Sequence, residues 1–263
     1  MNINNEYKVP SLFQRIFSVW SRHDRVYNSN FFSNAFPSFF EPVIFLIGIG
    51  IGLGKMIPKV GGVDYILFLA TGLIVTSSMF SASYECTFGT FIRLEFDHVY
   101  DGMLGAPIST YNVIIGEIFF AGTKGVLFTF GVLAVTWISG IIRYPLSILS
   151  IAIGFISGIM FAAMAMYITS FVRSINHLNF YFTGLLSPMF FFSGIVFPIE
   201  TLPKTLRYIS EIIPLTHVVR LARAFCVPGL LNAWLILDFI YCIGFIALFG
   251  WLAVKRMKKR MIV

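Results

Sequence analysis

Charge is what this chain has least of. Only 12% of its 263 residues are Asp, Glu, Lys or Arg, about half the share of an ordinary soluble domain. So few charges cannot cover a water-facing surface, which excludes a soluble globular protein. Cysteine is scarce as well. Cys86, Cys226 and Cys242 are odd in number and lack the spacing of a metal site, so neither a structural disulfide nor a thiolate centre is expected. The first thirty residues are too polar for the apolar core of a cleavable signal peptide, so insertion is expected to use the first true span. There is no nucleophile elbow, no zinc-type histidine pair and no paired acidic motif of a glycosyltransferase. Nothing local marks an enzyme.

Apolar residues fill the space that charge leaves. They make up 57% of the chain, and the mean hydropathy is +0.84. The expected fold is all-α, a single polytopic transmembrane domain over residues 1–263. Six apolar runs, Phe31–Gly54, Tyr65–Tyr84, Tyr111–Ile138, Leu146–Val172, Leu178–Phe197 and Leu231–Val254, each have the length of a span.

The net charge of +7 does not argue for nucleic acid, because five basic residues are gathered in the tail Lys255–Arg260, directly after an apolar run. Such a tail marks a cytoplasmic end and an attraction to anionic headgroups. Six spans put both termini on one side. With that side inside, Lys8, Arg15, Arg22, Arg25, Arg93, Arg173 and the tail outnumber Lys55, Lys59, Arg143, Lys204, Arg207, Arg220 and Arg223 outside, so both termini are expected in the cytoplasm.

Three amphipathic segments lie between the runs. In residues 10–26, Leu12, Phe13, Ile16, Phe17 and Trp20 form one helical face and Arg15, Ser18, Arg22 and Arg25 another, the pattern of a helix lying on a membrane surface. Residues 88–106 place Ile92, Phe96, Val99 and Met103 on one face, with Arg93, Asp97 and Asp101 stepping along another. Acidic Glu95, Asp97 and Asp101 sit poorly against anionic lipid, so this helix suits a groove on another protein.

Residues 198–229 form two short helices. Leu202, Leu206, Ile209 and Ile213 recur before Pro214, and Val218, Leu221, Ala222 and Phe225 recur before Pro228. Each is roughly 16 Å long, about half the hydrocarbon thickness. The pair therefore lies in the interface or dips into the membrane. Lys204, Arg207 and Glu211, then His217, Arg220 and Arg223, are expected on the opposite faces, with Thr216 as an N-cap.

The run IGIGIGLGK is not a phosphate loop. Ile49 stands where the first glycine is needed, and Met56 follows Lys55 instead of Ser or Thr. Gly48/Gly52 and Gly50/Gly54 are expected instead to allow close helix approach, as are Gly154, Gly158 and Ala162. Glu41, Glu117, Lys124 and Asp238 fall within or near spans, each at a cost of about 2.5–3.5 kcal/mol at a helix centre. They serve either helix packing or a watery path. Glu117 and Lys124 share a face two turns apart, too far to pair directly.

Together these parts resemble the type-2 permeases of ATP-binding-cassette exporters. The words EPVIFLIGIGIGLG (Glu41–Gly54), FLATGLIVTSSMFSASYE (Phe68–Glu85), GEIFFAGTKG (Gly116–Gly125), FFFSGIVFPIETLP (Phe190–Pro203) and PLTHVVRLAR (Pro214–Arg223) are similar to the nodulation-type (NodJ-type) lipo-oligosaccharide exporter permeases. The resemblance covers essentially the whole chain. It implies a bacterial inner-membrane permease that forms a homodimer on two copies of a separate ATPase. ATP and Mg would belong to that partner, with no cofactor in this chain. The implied cargo is a lipid-linked oligosaccharide, a polysaccharide or a similar amphiphile.

Under this resemblance, Arg93, Glu95, Asp97 and Asp101 couple the permease to the ATPase. Met189, Phe190, Phe191 and Phe192, with Glu41, Glu117 and Lys124, are candidates for the path or gate, and Pro188 for a hinge. Lys204, Arg207, His217, Arg220 and Arg223 would meet an anionic cargo or headgroup at the exit. The alternatives are a permease for drugs or small amphiphiles, a membrane scaffold or ion pathway without an ATPase, and a secondary transporter. The last is disfavoured because the first three runs do not repeat in the last three.

Overall fold

The computed structural model describes residues 10–57 and 59–261; Lys8 lies outside them. It is an all-helical bundle with one two-stranded ribbon, Lys59–Val60 against Val63–Asp64. Helix α1 is Leu12–Ser29. Helix α2 runs as Phe31–Phe45, a π-helical stretch Leu46–Ile51, and Gly52–Met56. Helix α3 is Tyr65–Glu95, with a π-helical stretch at Glu85–Gly89. Helix α4 is Val99–Leu104, α5 is Thr110–Ile138 and α6 is Pro145–Thr169. Helix α7 joins Leu178–Tyr181, a π-helical stretch Phe182–Leu186, and Ser187–Phe192. Helices α8 and α9 are Lys204–Ile212 and Pro214–Cys226, and α10 is Leu235–Met261.

Among the described residues four helices, α3, α5, α6 and α10, are long and apolar enough to cross a membrane. The first and fifth apolar runs are helical too, each with a π-helical stretch within it. The fifth stops at Phe192 instead of Phe197, because Gly194 takes a left-handed φ of 74° that ends a helix at no steric cost. The second run extends past Tyr84 to Glu95, and the last carries the basic tail inside its own helix to Met261.

Helix α3 is buried almost all round, among α5, α6 and α9. The close packing of α3, α5 and α6 depends on missing side chains. A Cβ on Gly154 would lie 2.1 Å from Thr129 Oγ1, and one on Gly125 would lie 2.2 Å from Ser78 Oγ. The closeness lets Ser78 Oγ donate to the Gly154 carbonyl at 2.6 Å, a cross-helix bond of the type that holds membrane bundles together. Gly154→Ala is therefore expected to destabilise the protein by about 1–3 kcal/mol through overpacking, read as earlier thermal aggregation of the detergent-solubilised chain. In α2 the expectation holds only in part. Gly50 meets Ile66 and Gly54 approaches Tyr65, whereas Gly48 and Gly52 face open space with nothing within 4 Å.

Two amphipathic segments depart from their predicted faces. In α1 the buried stripe is Val19, His23 and Tyr27 against α5, with Ile16 and Trp20 only half-buried and Leu12, Phe13 and Phe17 exposed. A Cβ on Gly116 of α5 would lie 2.7 Å from Val19, so the approach of α1 is set by that glycine. Residues 88–106 are not one helix. Thr90–Glu95 completes α3, the Asp97 N–H closes back on the Ile92 carbonyl, and His98 turns the chain at φ 48° before α4. Ile92 and Phe96 consequently point outward, while Met103 enters a small core with Val19, Tyr100 and Val113.

The bundle has two distinct ends. At one, α1, the turn 96–98, α4 and the C-terminal end of α10 gather. Arg260 donates there to the Thr169 carbonyl and to Glu95 Oε1, the latter at 2.7 Å. The α8–α9 pair and the ribbon lie at the other end, about 40–45 Å away along α3.

Candidate functional site

Helices α2, α3 and α7 leave a cavity of about 200 Å³ between them. Glu41 and Phe45 come from α2; Leu73, Thr76, Ser77, Phe80 and Tyr84 from α3; Ser187, Phe190 and Phe191 from α7. All three helices carry a π-helical stretch, a feature frequent at functional sites. In α7 that stretch ends two residues before Pro188, which has no N–H to continue the ladder. Phe190 is the anchor: nearly buried, it meets Phe45 edge-on at 5.4 Å and Phe191 edge-on at 5.4 Å. Phe191 is half exposed. Of the residues predicted for the path, Glu41, Phe190 and Phe191 line this cavity. Met189 and Phe192 do not, and Met189 packs on the core.

Glu117 and Lys124 lie elsewhere, in a buried charge network at the end of α3. They do not touch, but they are joined. Lys124 Nζ is 2.7 Å from Glu85 Oε2, Arg93 Nη1 is 2.7 Å from Glu85 Oε1, and Arg93 Nε lies 3.1 Å from Glu117 Oε1. Glu117 also accepts from the Tyr100 hydroxyl at 2.6 Å and the Thr90 hydroxyl at 2.9 Å, and His23 Nε2 lies 3.2 Å away. Lys124 is additionally held over the Tyr27 ring. The Arg93 Nε approach is an ion-pair contact, and neither that atom nor His23 Nε2 makes a hydrogen bond.

Two carboxylates and two cations cancel, which is what allows such groups to be buried. Burial and the neighbouring Glu117 hold the Tyr100 phenol well above its ordinary pKa, so it stays a donor. Sequence reasoning found Arg93, Glu117 and Lys124 but missed Glu85, His23, Tyr100 and Thr90.

Arg93, placed with the coupling residues on sequence grounds, thus points inward, with only 15% of its side chain exposed. Glu95 is bound by Arg260. Asp97 and Asp101 are exposed on the turn and α4, where His98 Nδ1 is 3.5 Å from Asp101.

The half-length pair exists, but its cations are not displayed as predicted. Helix α9 is buried around most of its circumference, so its polar groups need internal partners. His217 Nδ1 is 2.6 Å from Asp238 Oδ1 and its ring stacks on Tyr241. Arg220 bonds Asp238 at 2.8 Å and Glu211 at 2.7 Å. Arg223 donates to the Phe68 and Gly194 carbonyls and the Thr71 hydroxyl, and lies over the Phe68 ring. Lys204 and Arg207 stay on the exposed face of α8. Thr216 does not cap α9. Ile213 precedes Pro214 at the helix start, and the Thr216 hydroxyl instead donates to Ser210.

Residues 14–226 match a protein family described as ABC-2 type transporter; the match spans α1 to α9 and takes in both cavity and network. The chain is 31% identical over 206 residues to Nodulation protein J of Sinorhizobium fredii, covering 78% of this chain and 79% of that one. It is 32% identical over 206 residues to Nodulation protein J of Rhizobium leguminosarum bv. viciae, covering 78% and 80%. A shorter likeness, 35% over 77 residues, covers 28% of this chain and 29% of the Polysialic acid transport protein KpsM of Escherichia coli.

Proposed function

The chain belongs to the ABC-2 type transporter family, and we propose that it is the permease of an exporter driven by a separate ATPase. Its cargo, on this reading, is a lipid-linked oligosaccharide, a polysaccharide or a similar amphiphile. The glycan part draws support from the relative named for polysialic acid transport. The amphiphile part draws support from the cavity, whose walls are aromatic with a few hydroxyls.

One observation carries the reading: the cavity and the charge network meet at consecutive residues. Tyr84 lines the cavity and Glu85 anchors the network. A push on the exposed turn at Asp97 and Asp101 would pass through Tyr100 to Glu117, through Arg93 to Glu85, and so to the cavity wall. The π-helical stretch between Glu85 and Gly89 is the place where α3 can yield. Both chain ends and the acidic turn then belong to the cytoplasmic face, and the α8–α9 pair to the outer one. The exposed Leu12, Phe13 and Phe17 of α1 rest in the inner leaflet. On this reading a second copy of the chain would complete the path, giving a homodimer on two ATPases.

The double variant Asp97→Lys/Asp101→Lys tests this. Both side chains are exposed, so the permease is expected to fold and dimerise as before. Reversed charge at a docking surface costs several kcal/mol; stimulation of the partner's ATP hydrolysis by the reconstituted permease is expected to drop by about tenfold or more. Undiminished stimulation would overturn the coupling assignment.

A further inference from the structure

Among the carboxylates of the helices, Glu41 stands apart. Glu85, Glu117 and Asp238 are each bound to cations. Among the described residues Glu41 has no ion pair or hydrogen bond; it is exposed and lines the cavity between α2, α3 and α7. Among the described residues no Lys, Arg or His lines that cavity. Arg93 and Lys124, held at Glu85 beside the cavity residue Tyr84, are both committed to that carboxylate.

Three of the cavity's four hydroxyls point the same way, the fourth being the Tyr84 phenol. Thr76, Ser77 and Ser187 donate their protons to carbonyls of their own helices, Gly72, Ile74 and Phe182. What they offer a ligand is lone pairs. The remaining lining is mostly the faces and edges of phenylalanine rings, which favour cations and the C–H faces of sugar rings over anions.

We propose that this cavity is a charge-selecting subsite. It takes the part of an amphiphile that bears hydroxyl, amide N–H or ammonium donors and no anionic group, and Glu41 is the residue that selects. The inference rests on the exporter reading for its place in transport, and it replaces the anionic cargo that the basic half-helices suggested. An anionic group in this cavity would face a carboxylate with no counter-charge, in surroundings less screening than water.

The test is a matched set of three decyl glycosides with one ring and one tail: the neutral glucoside, the 2-amino-2-deoxyglucoside and the glucuronide. Their binding to the purified full-length permease in phosphatidylcholine nanodiscs is measured at about pH 6, where a sugar amine is protonated. The amino sugar is expected to bind about tenfold or more tighter than the glucuronide, with the neutral glucoside between them. Glu41→Gln should leave the affinity of the neutral glucoside within about twofold and bring the other two to within about threefold of each other, while Glu41→Lys should invert the order. Size-exclusion profiles matching wild type confirm that these variants fold. Equal affinities in the wild type, tightest binding of the glucuronide, a preference that survives Glu41→Gln, or no binding of any probe would each overturn the subsite. Because no ATP enters the assay, a selective cavity in a chain that stimulates no ATPase supports the subsite while overturning the exporter reading.

Discussion

Arg93→Ala is expected to destabilise the protein by about 3–5 kcal/mol, the range found when one partner of a buried ion pair is removed. Arg93 is the hinge of the charge network, with its Nη1 on Glu85 and its Nε facing Glu117. Without it, Lys124 still neutralises Glu85, but Glu117 keeps only neutral hydroxyl donors and His23. One buried negative charge is then left uncompensated. The measurement is thermal unfolding in detergent, with a fall in midpoint on the order of 10 °C.

A second variant separates charge balance from lost contacts. Arg93→Met with Glu117→Gln removes both members of the pair and keeps the volume. It should recover more than half of the loss, since an ion pair replaced by well-packed neutral groups is often neutral in stability. An Arg93→Ala protein that melts with the wild type, or a double variant that melts below the single one, would sink the argument. The same pair bears on coupling. If the network carries motion from the acidic turn to the cavity, the restored double variant should remain poor at stimulating the ATPase, because stability returns without the charge contact.

Much of the fold could be read from hydropathy alone, because apolar runs of span length have few alternatives to a helix. The helix ends were harder to read. Gly194 stops α7 and His98 stops α3 by backbone conformation, which a hydropathy pattern does not record. Glu85 was missed for a geometric reason. It lies eight residues before Arg93, a separation that in a regular α-helix leaves two side chains about 80° apart. The π-helical stretch between them adds residues to the turn and brings the two into line.

His23 was assigned to no face because the large aromatic residues of α1 define the moment, yet it is the smaller Val19 that fits Gly116. Glu41 and Phe190 were both legible as candidates. Their meeting in one cavity was not, since they are distant in the chain and nothing local ties them. The cations of α9 show the limit of an amphipathic reading. Spacing finds the polar stripe but not whether water or Asp238 waits opposite it.

The second large effect follows from that last point: Arg223→Leu is expected to cost about 2–4 kcal/mol, because charge-assisted hydrogen bonds contribute about 1.5–3 kcal/mol each and are not additive. Burial pulls the pKa of Arg223 down to about 10, with the charge of Glu200 opposing that fall. At neutral pH the side chain remains a cation and a full set of donors. It uses them to tie α9 to the start of α3 through Thr71 and Phe68, and to the end of α7 through Gly194. The tie fixes a crowded junction: Ile195, next in the chain, lies so close to α3 that a Cβ on Gly72 would stand 2.9 Å from it. Leucine fills the space but leaves the Gly194 carbonyl without this donor.

Arg223→Lys keeps the charge but has one head group where the guanidinium fork reaches three partners, so about half the loss should remain. Lys204→Gln and Arg207→Gln, on the exposed face of α8, should unfold within about 0.5 kcal/mol of wild type. Thermal unfolding of the four variants discriminates the roles. A cation serving cargo at the exit would leave stability untouched in all four and lower transport. A pin between α9, α3 and α7 lowers stability at Arg223 alone, and a wild-type midpoint for Arg223→Leu would return that residue to the pathway.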